Sequence, residues 1–195
     1  MTSIALFGTS ADPPTAGHQQ ILNWLSYRFD RVLVWASDNP FKHNQTPIEH
    51  RASMLRLLIS DIEPHRTNIH CDQALSNPRT IVTVQRARQR YPEADFTLVV
   101  GSDLIQQLPT WYRSRELLGQ VRLLVVPRPG YPIHQISLAQ LRQLSDQVEV
   151  ADLTGLPVSS SSYRDAGDST VITPPVKAYI HREHLYTCQD VPNIP

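Results

Sequence analysis

Cysteine is nearly missing from this chain: among 195 residues only Cys71 and Cys188 carry a thiol. They form no CxxC pair and have no metal-ligand spacing, which argues against a zinc ribbon or a redox couple. Their simplest reading is two free thiols in a reducing cytosol, with a structural disulfide as the alternative. An excess of either charge is also missing, with 18 Lys+Arg against 18 Asp+Glu. That balance excludes a broad basic field for nucleic acid or an anionic membrane, so any anion site must be local. No apolar run approaches the roughly 20 residues that span a bilayer, and the N-terminus lacks the basic region of a signal peptide. These absences predict a cytoplasmic protein with neither nucleic acid nor membrane as partner. Internal repeats, a long linker and a second core are missing too. One domain over 1–195 is expected, with a core over about 1–153 and a smaller C-terminal part over about 154–190.

What is present is an alternation of strand and helix. Ser3 to Phe7, Arg31 to Ala36, Phe96 to Val100 and Val121 to Val126 read as buried strands, with a short strand over Thr67 to Cys71 and a last one over Val148 to Leu153. Helices are predicted over Gly17 to Arg28, His50 to Ile62, Thr80 to Arg90, Leu138 to Leu144 and Val176 to Leu185, the second with Met54, Leu55, Leu58 and Ile62 along one stripe. Near-continuous hydrophobic strands between helices point to an α/β fold with a Rossmann-like, doubly wound parallel sheet and a small C-terminal helical part. Ligands of such sheets sit beyond the carboxyl ends of the strands.

The connection after the first strand is unusual for its length: Gly8-Thr9-Ser10-Ala11-Asp12-Pro13-Pro14-Thr15-Ala16-Gly17-His18. Gly8 would leave room for a ligand at the strand end, the prolines stiffen the path, and Gly17 opens the helix without a side chain. Free N–H groups of that helix's first turn attract phosphate, and His18 adds a donor. An ordinary βα loop with a surface histidine is the plain alternative. Trp24 and Trp35 are assigned to packing.

Two motifs carry a resemblance. Thr15-Ala16-Gly17-His18 resembles the (H/T)xGH signature of the nucleotidylyltransferase superfamily, and Val158-Ser159-Ser160-Ser161-Ser162-Tyr163-Arg164 resembles its second signature. Within the superfamily the chain is most similar to bacterial-type nicotinate-nucleotide adenylyltransferases. The likeness extends over Pro40-Phe41-Lys42-His43, Asn77-Pro78-Arg79-Thr80, Val100-Gly101-Ser102-Asp103, Leu108-Pro109-Thr110-Trp111-Tyr112, Pro127 to Tyr131 and Val176 to Tyr186. The chain departs from the family's Gly-Gly-Thr-Phe-Asp-Pro at Thr9-Ser10-Ala11, has Thr15 where many relatives have histidine, and is short between Tyr163 and Pro174.

The resemblance implies adenylyl transfer from ATP to nicotinate mononucleotide, giving deamido-NAD and pyrophosphate in NAD biosynthesis. A phosphate monoester, with a second pKa of about 6, attacks as a dianion without a general base. What the chemistry needs is alignment and stabilisation of phosphate charge. His18 would bond the α-phosphate with Thr15 assisting. Gly8, Thr9, Ser10 and Gly17 would border the nucleotide. Ser160, Ser161 and Arg164 would hold the β and γ phosphates. Lys42 and His43 would reach phosphate from the loop after the second strand. Asp103 is expected at a ribose hydroxyl or a magnesium-bound water, or else as an N-cap; Thr80 at the acceptor's carboxylate, or again as an N-cap. Trp111 and Tyr112 would stack on the pyridine. With no cage of carboxylates in the sequence, Mg2+ would arrive with ATP. ATP and a pyridine mononucleotide are thus the expected partners, and a homo-oligomer is left open. Two alternatives stand beside this: the same chemistry on nicotinamide mononucleotide or phosphopantetheine, and a nucleotide-binding sensor without turnover.

Overall fold

The computed structural model describes residues 1–38, 44–145 and 147–186, so Lys42, His43 and Cys188 lie outside the described residues. The apolar runs form strands β1 (Ser3–Thr9), β2 (Arg31–Ala36), β3 (Ile69–Cys71), β4 (Asp95–Gly101), β5 (Arg122–Val126) and β6 (Val148–Val150). They make one sheet in the order β3-β2-β1-β4-β5-β6, and every neighbouring pair is parallel. The order reverses between β1 and β4, and the crevice beyond their carboxyl ends is where such sheets bind ligands. Helices are α1 (Ala16–Ser26), α2 (Ile48–Ser60), α3 (Thr80–Arg90), α4 (Ser114–Leu118), α5 (Gln135–Arg142), α6 (Ser160–Ala166) and α7 (Pro174–Arg182). Among the described residues no helix is long and apolar enough to cross a membrane.

The strands are apolar throughout because both faces are covered. Side chains of β1 alternate: Ala5 and Phe7 join a core with Leu22 and Leu25 of α1, Leu55 and Leu58 of α2, and Val176 and Ile180 of α7. Ile4 and Leu6 face the opposite core, with Ile81 and Val84 of α3, Leu117 of α4 and Leu141 of α5. Period two along the strand thus serves two separate cores.

Boundaries differ from the sequence expectation where local signals are weak. β6 ends at Val150 rather than Leu153, since it pairs on one side only, through three residues of β5. The short helix α4 was not expected; five residues are too few to display a helical period. β1 runs two residues past Phe7, pairing Gly8 with Trp35 and Thr9 with Ala36.

That register also sets Trp35 against Gly8. A Cβ on Gly8 would stand 2.7 Å from Cζ2 of Trp35, whose indole is 3% exposed. Glycine at this position is required by packing. Trp24 also packs, with Nε1–H donating to the Asp152 carbonyl at 3.1 Å and the Arg28 guanidinium 3.7 Å from its ring centroid.

Gly8→Ala should therefore destabilise by about 1–3 kcal/mol, the range for overpacking a well-filled core. In Gly101→Ala the nearest atom is Oδ1 at the far end of the Asp103 side chain, and a loss below about 1 kcal/mol, the size of a part-exposed ion pair, is expected. Urea midpoints at constant slope check the contrast; equal midpoints for the two variants would contradict it.

Candidate active site

The β1–α1 loop exposes carbonyls that the sheet does not use, and three of them are captured by distant side chains. The Ser10 carbonyl accepts from Nη1 of Arg51 at 2.9 Å. The Pro13 carbonyl accepts from the Ser160 hydroxyl at 2.7 Å, and the Asp12 carbonyl accepts from Nη1 of Arg164. Arg51, on α2, is 1% exposed and also donates to the carbonyls of Ser37 at 2.8 Å and Thr46 at 2.7 Å and to Asp38 Oδ1 at 2.5 Å. One buried guanidinium thus ties together the exits of β1 and β2 and the entry to α2. A buried charge is tolerable only with such saturation.

α1 begins with a capping box of Thr15 at the N-cap and His18 at the third helical position. In the usual box that position holds Glu or Gln reaching back to the N-cap amide. Here the imidazole does so: Nδ1 accepts from the Thr15 backbone N–H at 3.0 Å and lies 2.9 Å from Thr15 Oγ1. With Nδ1 an acceptor, the proton is assigned to Nε2, which points to Thr9 Oγ1 at 2.9 Å. Thr15 is 2% exposed, so it orients the imidazole from behind. Thr9, where the family has its second glycine, supplies a hydroxyl partner for His18. The first turn of α1 contains no acidic residue, leaving its positive dipole end uncompensated.

The second motif folds onto the first. Ser159 caps α6, its Oγ accepting from the Ser162 N–H at 3.0 Å. Ser160 and Arg164 hold the first loop as described, and Arg164 Nη2 also donates to Ser161 Oγ at 3.2 Å. Gly17 faces this motif: a Cβ there would lie 3.1 Å from Cγ2 of Val158. Its bare Cα makes room for the second signature's apolar residue.

The remaining expected residues that the structure describes follow the carboxyl ends of the strands. Asp103 follows β4 in a short 3-10 turn and pairs through Oδ2 with Arg128 Nη1 at 2.7 Å. The turn's cap residue is Gly101 and no side chain caps it, so the N-cap alternative for Asp103 does not hold. Ser102 Oγ accepts from the Arg128 N–H at 3.0 Å and donates to the Tyr131 carbonyl at 2.8 Å, fixing that arm of the edge. Thr80 is the first residue of α3, with Arg79 at the cap position and no side-chain cap bond, so Thr80 is not an N-cap either. Trp111 is half-buried against the core beside α3 and α4, whereas Tyr112 is 53% exposed with the Arg79 guanidinium 4.3 Å from its ring centroid. Arg79 thereby links Thr80 to Tyr112. Cys71 is a free thiol, raised above its ordinary pKa by burial.

Arg51 was not among the residues expected here, although a signal was available. Positions 51, 54, 55 and 58 follow helical spacing, so Arg51 shares the buried stripe of Met54, Leu55 and Leu58. A charge on an apolar stripe announces a buried polar partner. Asp12, also buried, gave no comparable signal; its Oδ1 accepts from the Tyr186 hydroxyl at 2.6 Å.

Residues 6–166 match the family model described as Cytidylyltransferase-like. The chain is 43% identical over 196 residues to a protein of Synechocystis sp. named as a probable nicotinate-nucleotide adenylyltransferase, covering 94% of this chain and 98% of that one. It is 29% identical to the nicotinate-nucleotide adenylyltransferase of Bacillus subtilis, covering 95% and 99% of the two chains. Among solved structures, Plasmodium falciparum nicotinic acid mononucleotide adenylyltransferase complexed with NaAD shares the fold, with a TM-score of 0.83 at 20% identity over 95% of this chain and 98% of that one. The motifs, their mutual hydrogen bonds and these likenesses lead to one assignment: the chain belongs to the Cytidylyltransferase-like family and, within it, to the nicotinate-nucleotide adenylyltransferases.

Proposed function

We propose that this chain, acting as a single domain, transfers the adenylyl group of ATP to nicotinate mononucleotide, forming deamido-NAD and releasing pyrophosphate. The observation that carries the reading is the capping-box imidazole. Nδ1 is locked by the Thr15 amide, so Nε2–H is held as a donor at the mouth of the loop. A donor preset in this way stabilises charge on a phosphate without reorganising during reaction.

The residue roles follow from position. His18 bonds the α-phosphate as charge builds at the reacting phosphorus, with Thr9 beside it and the first turn of α1 adding its dipole. Ser160, Ser161 and Arg164 take the distal phosphates, Arg164 keeping Nη1 on the Asp12 carbonyl and turning Nη2 from Ser161 to the nucleotide. Thr80 and Tyr112, linked by Arg79, receive the nicotinate; Asp103 and its partner Arg128 border the ribose. The acceptor's own dianionic phosphate attacks the α-phosphorus and the pyrophosphate leaves in line. Among the described residues no three His, Cys, Asp or Glu side chains are grouped to hold a metal ion. We write the nucleotide as magnesium-ATP, the cation offsetting triphosphate charge as part of the substrate.

His18→Ala should lower kcat by roughly a hundredfold or more while the circular dichroism spectrum stays unchanged. An unaltered rate would remove His18 from the mechanism. With magnesium-ATP, chromatography of the dinucleotide products should show nicotinate mononucleotide turned over faster than nicotinamide mononucleotide or phosphopantetheine. Preference for the amide would overturn the acceptor assignment, and no turnover of any acceptor despite ATP binding would overturn the enzyme reading.

A further inference from the structure

The far C-terminal end of the described chain returns to the phosphate loop. Beyond α7, His184 at φ 52 and Tyr186 at φ 58 both adopt the left-handed region that L side chains seldom enter. Such conformations persist where surrounding contacts over-determine them. Here the contacts are specific: Leu185 N–H donates to the Ile180 carbonyl at 3.0 Å, and the Tyr186 ring meets Tyr163 of α6 edge-on, centroids 5.7 Å apart at 87°. The result aims the Tyr186 hydroxyl at Asp12 Oδ1, 2.6 Å away. Oδ2 of the same carboxylate accepts from the Thr46 N–H at 3.3 Å.

Asp12 is thus held by its side chain from one direction and by its carbonyl, through Arg164, from another. Burial, reinforced by the bond to Asp12, pushes the Tyr186 phenol well above its ordinary range, so it stays a donor at any working pH. Neither Tyr186 nor its partners Asp12 and Tyr163 lie among the acceptor-side residues Thr80, Asp103, Trp111 and Tyr112.

We propose that Tyr186 is a positioning residue for adenylyl transfer: its hydroxyl latches the C-terminal segment to Asp12 and so sets the phosphate loop and Arg164 against the nucleotide. This rests on the adenylyltransferase reading above, with Tyr186 acting through Asp12 and touching no substrate. Loss of the latch alters the nucleotide half of the site and leaves the acceptor half as it was.

The test is Tyr186→Phe, which keeps the ring against Tyr163 and removes one hydroxyl. The matched control is Tyr179→Phe, on α7, whose hydroxyl lies 2.9 Å from His50 Nδ1 on α2. For Tyr186→Phe, kcat should fall about tenfold, the equivalent of one well-placed hydrogen bond in the transition state, and KM for ATP should rise several-fold. KM for nicotinate mononucleotide should stay within about twofold of wild type. Calorimetric affinity for a magnesium-ATP analogue that cannot be cleaved at the α-phosphorus should weaken by the same several-fold factor, with Tyr179→Phe unchanged throughout. The calorimetric arm separates the two readings: wild type that binds the analogue without turning over any acceptor refutes the reaction, whereas the latch is then judged on affinity alone. Three results would overturn the latch. They are wild-type affinity and kcat in Tyr186→Phe, an equal loss in Tyr179→Phe, or a loss that disappears once rates are normalised to titrated active sites.

Discussion

Backbone carbonyls that leave a sheet must find donors, and the rest of this site follows from how that need is met. The loop between β1 and α1 turns through Ala11 at φ 47 and cannot satisfy its own carbonyls with a regular ladder. Ser10, Asp12 and Pro13 instead accept from Arg51, Arg164 and Ser160, which come from two different helices. The loop keeps its shape because side chains far along the sequence complete its hydrogen bonding. Arg51 is the firmest of these anchors, since its guanidinium is buried and every named bond ends on an oxygen of the rim.

Within that frame, an ordinary local device does an uncommon task. A capping box normally seals the start of a helix, and its third residue is acidic or an amide. With histidine there, sealing the helix also fixes the tautomer and direction of the ring. The same hydrogen bond that stabilises α1 prepares its Nε2–H for an anion. Thr9 then shows how a departure from the family pattern is absorbed: the extension of β1 by two residues brings its hydroxyl within 2.9 Å of Nε2.

The sheet was legible because β1, β2, β4 and β5 are apolar on both faces, a pattern that only sandwiched parallel strands require. The two phosphate motifs were legible as words in the sequence, but their mutual hydrogen bonds were not, since no spacing reveals that Ser160 meets Pro13. Gly8 reads in the sequence as room for a ligand, and the structure adds Trp35 against its Cα; a glycine in a strand reports only that something comes close. Asp103 and Thr80 had N-cap alternatives that failed for a shared reason, as the cap positions fell one or two residues earlier, at Gly101 and Arg79. Arg51 was readable in principle from its place on the apolar stripe of α2. The Tyr186 contact was not, because two left-handed residues after a helix leave no mark in hydrophobic periodicity.

The approach of Val158 to Gly17 joins the two signatures at a single point of steric contact. Their separation along the chain hides the fact that a methyl group on one would displace the other. The motifs are then one mechanical unit: a side chain added at Gly17 must be met by a shift of Val158, and a graft of the first loop onto a foreign sheet would have to bring the second motif with it.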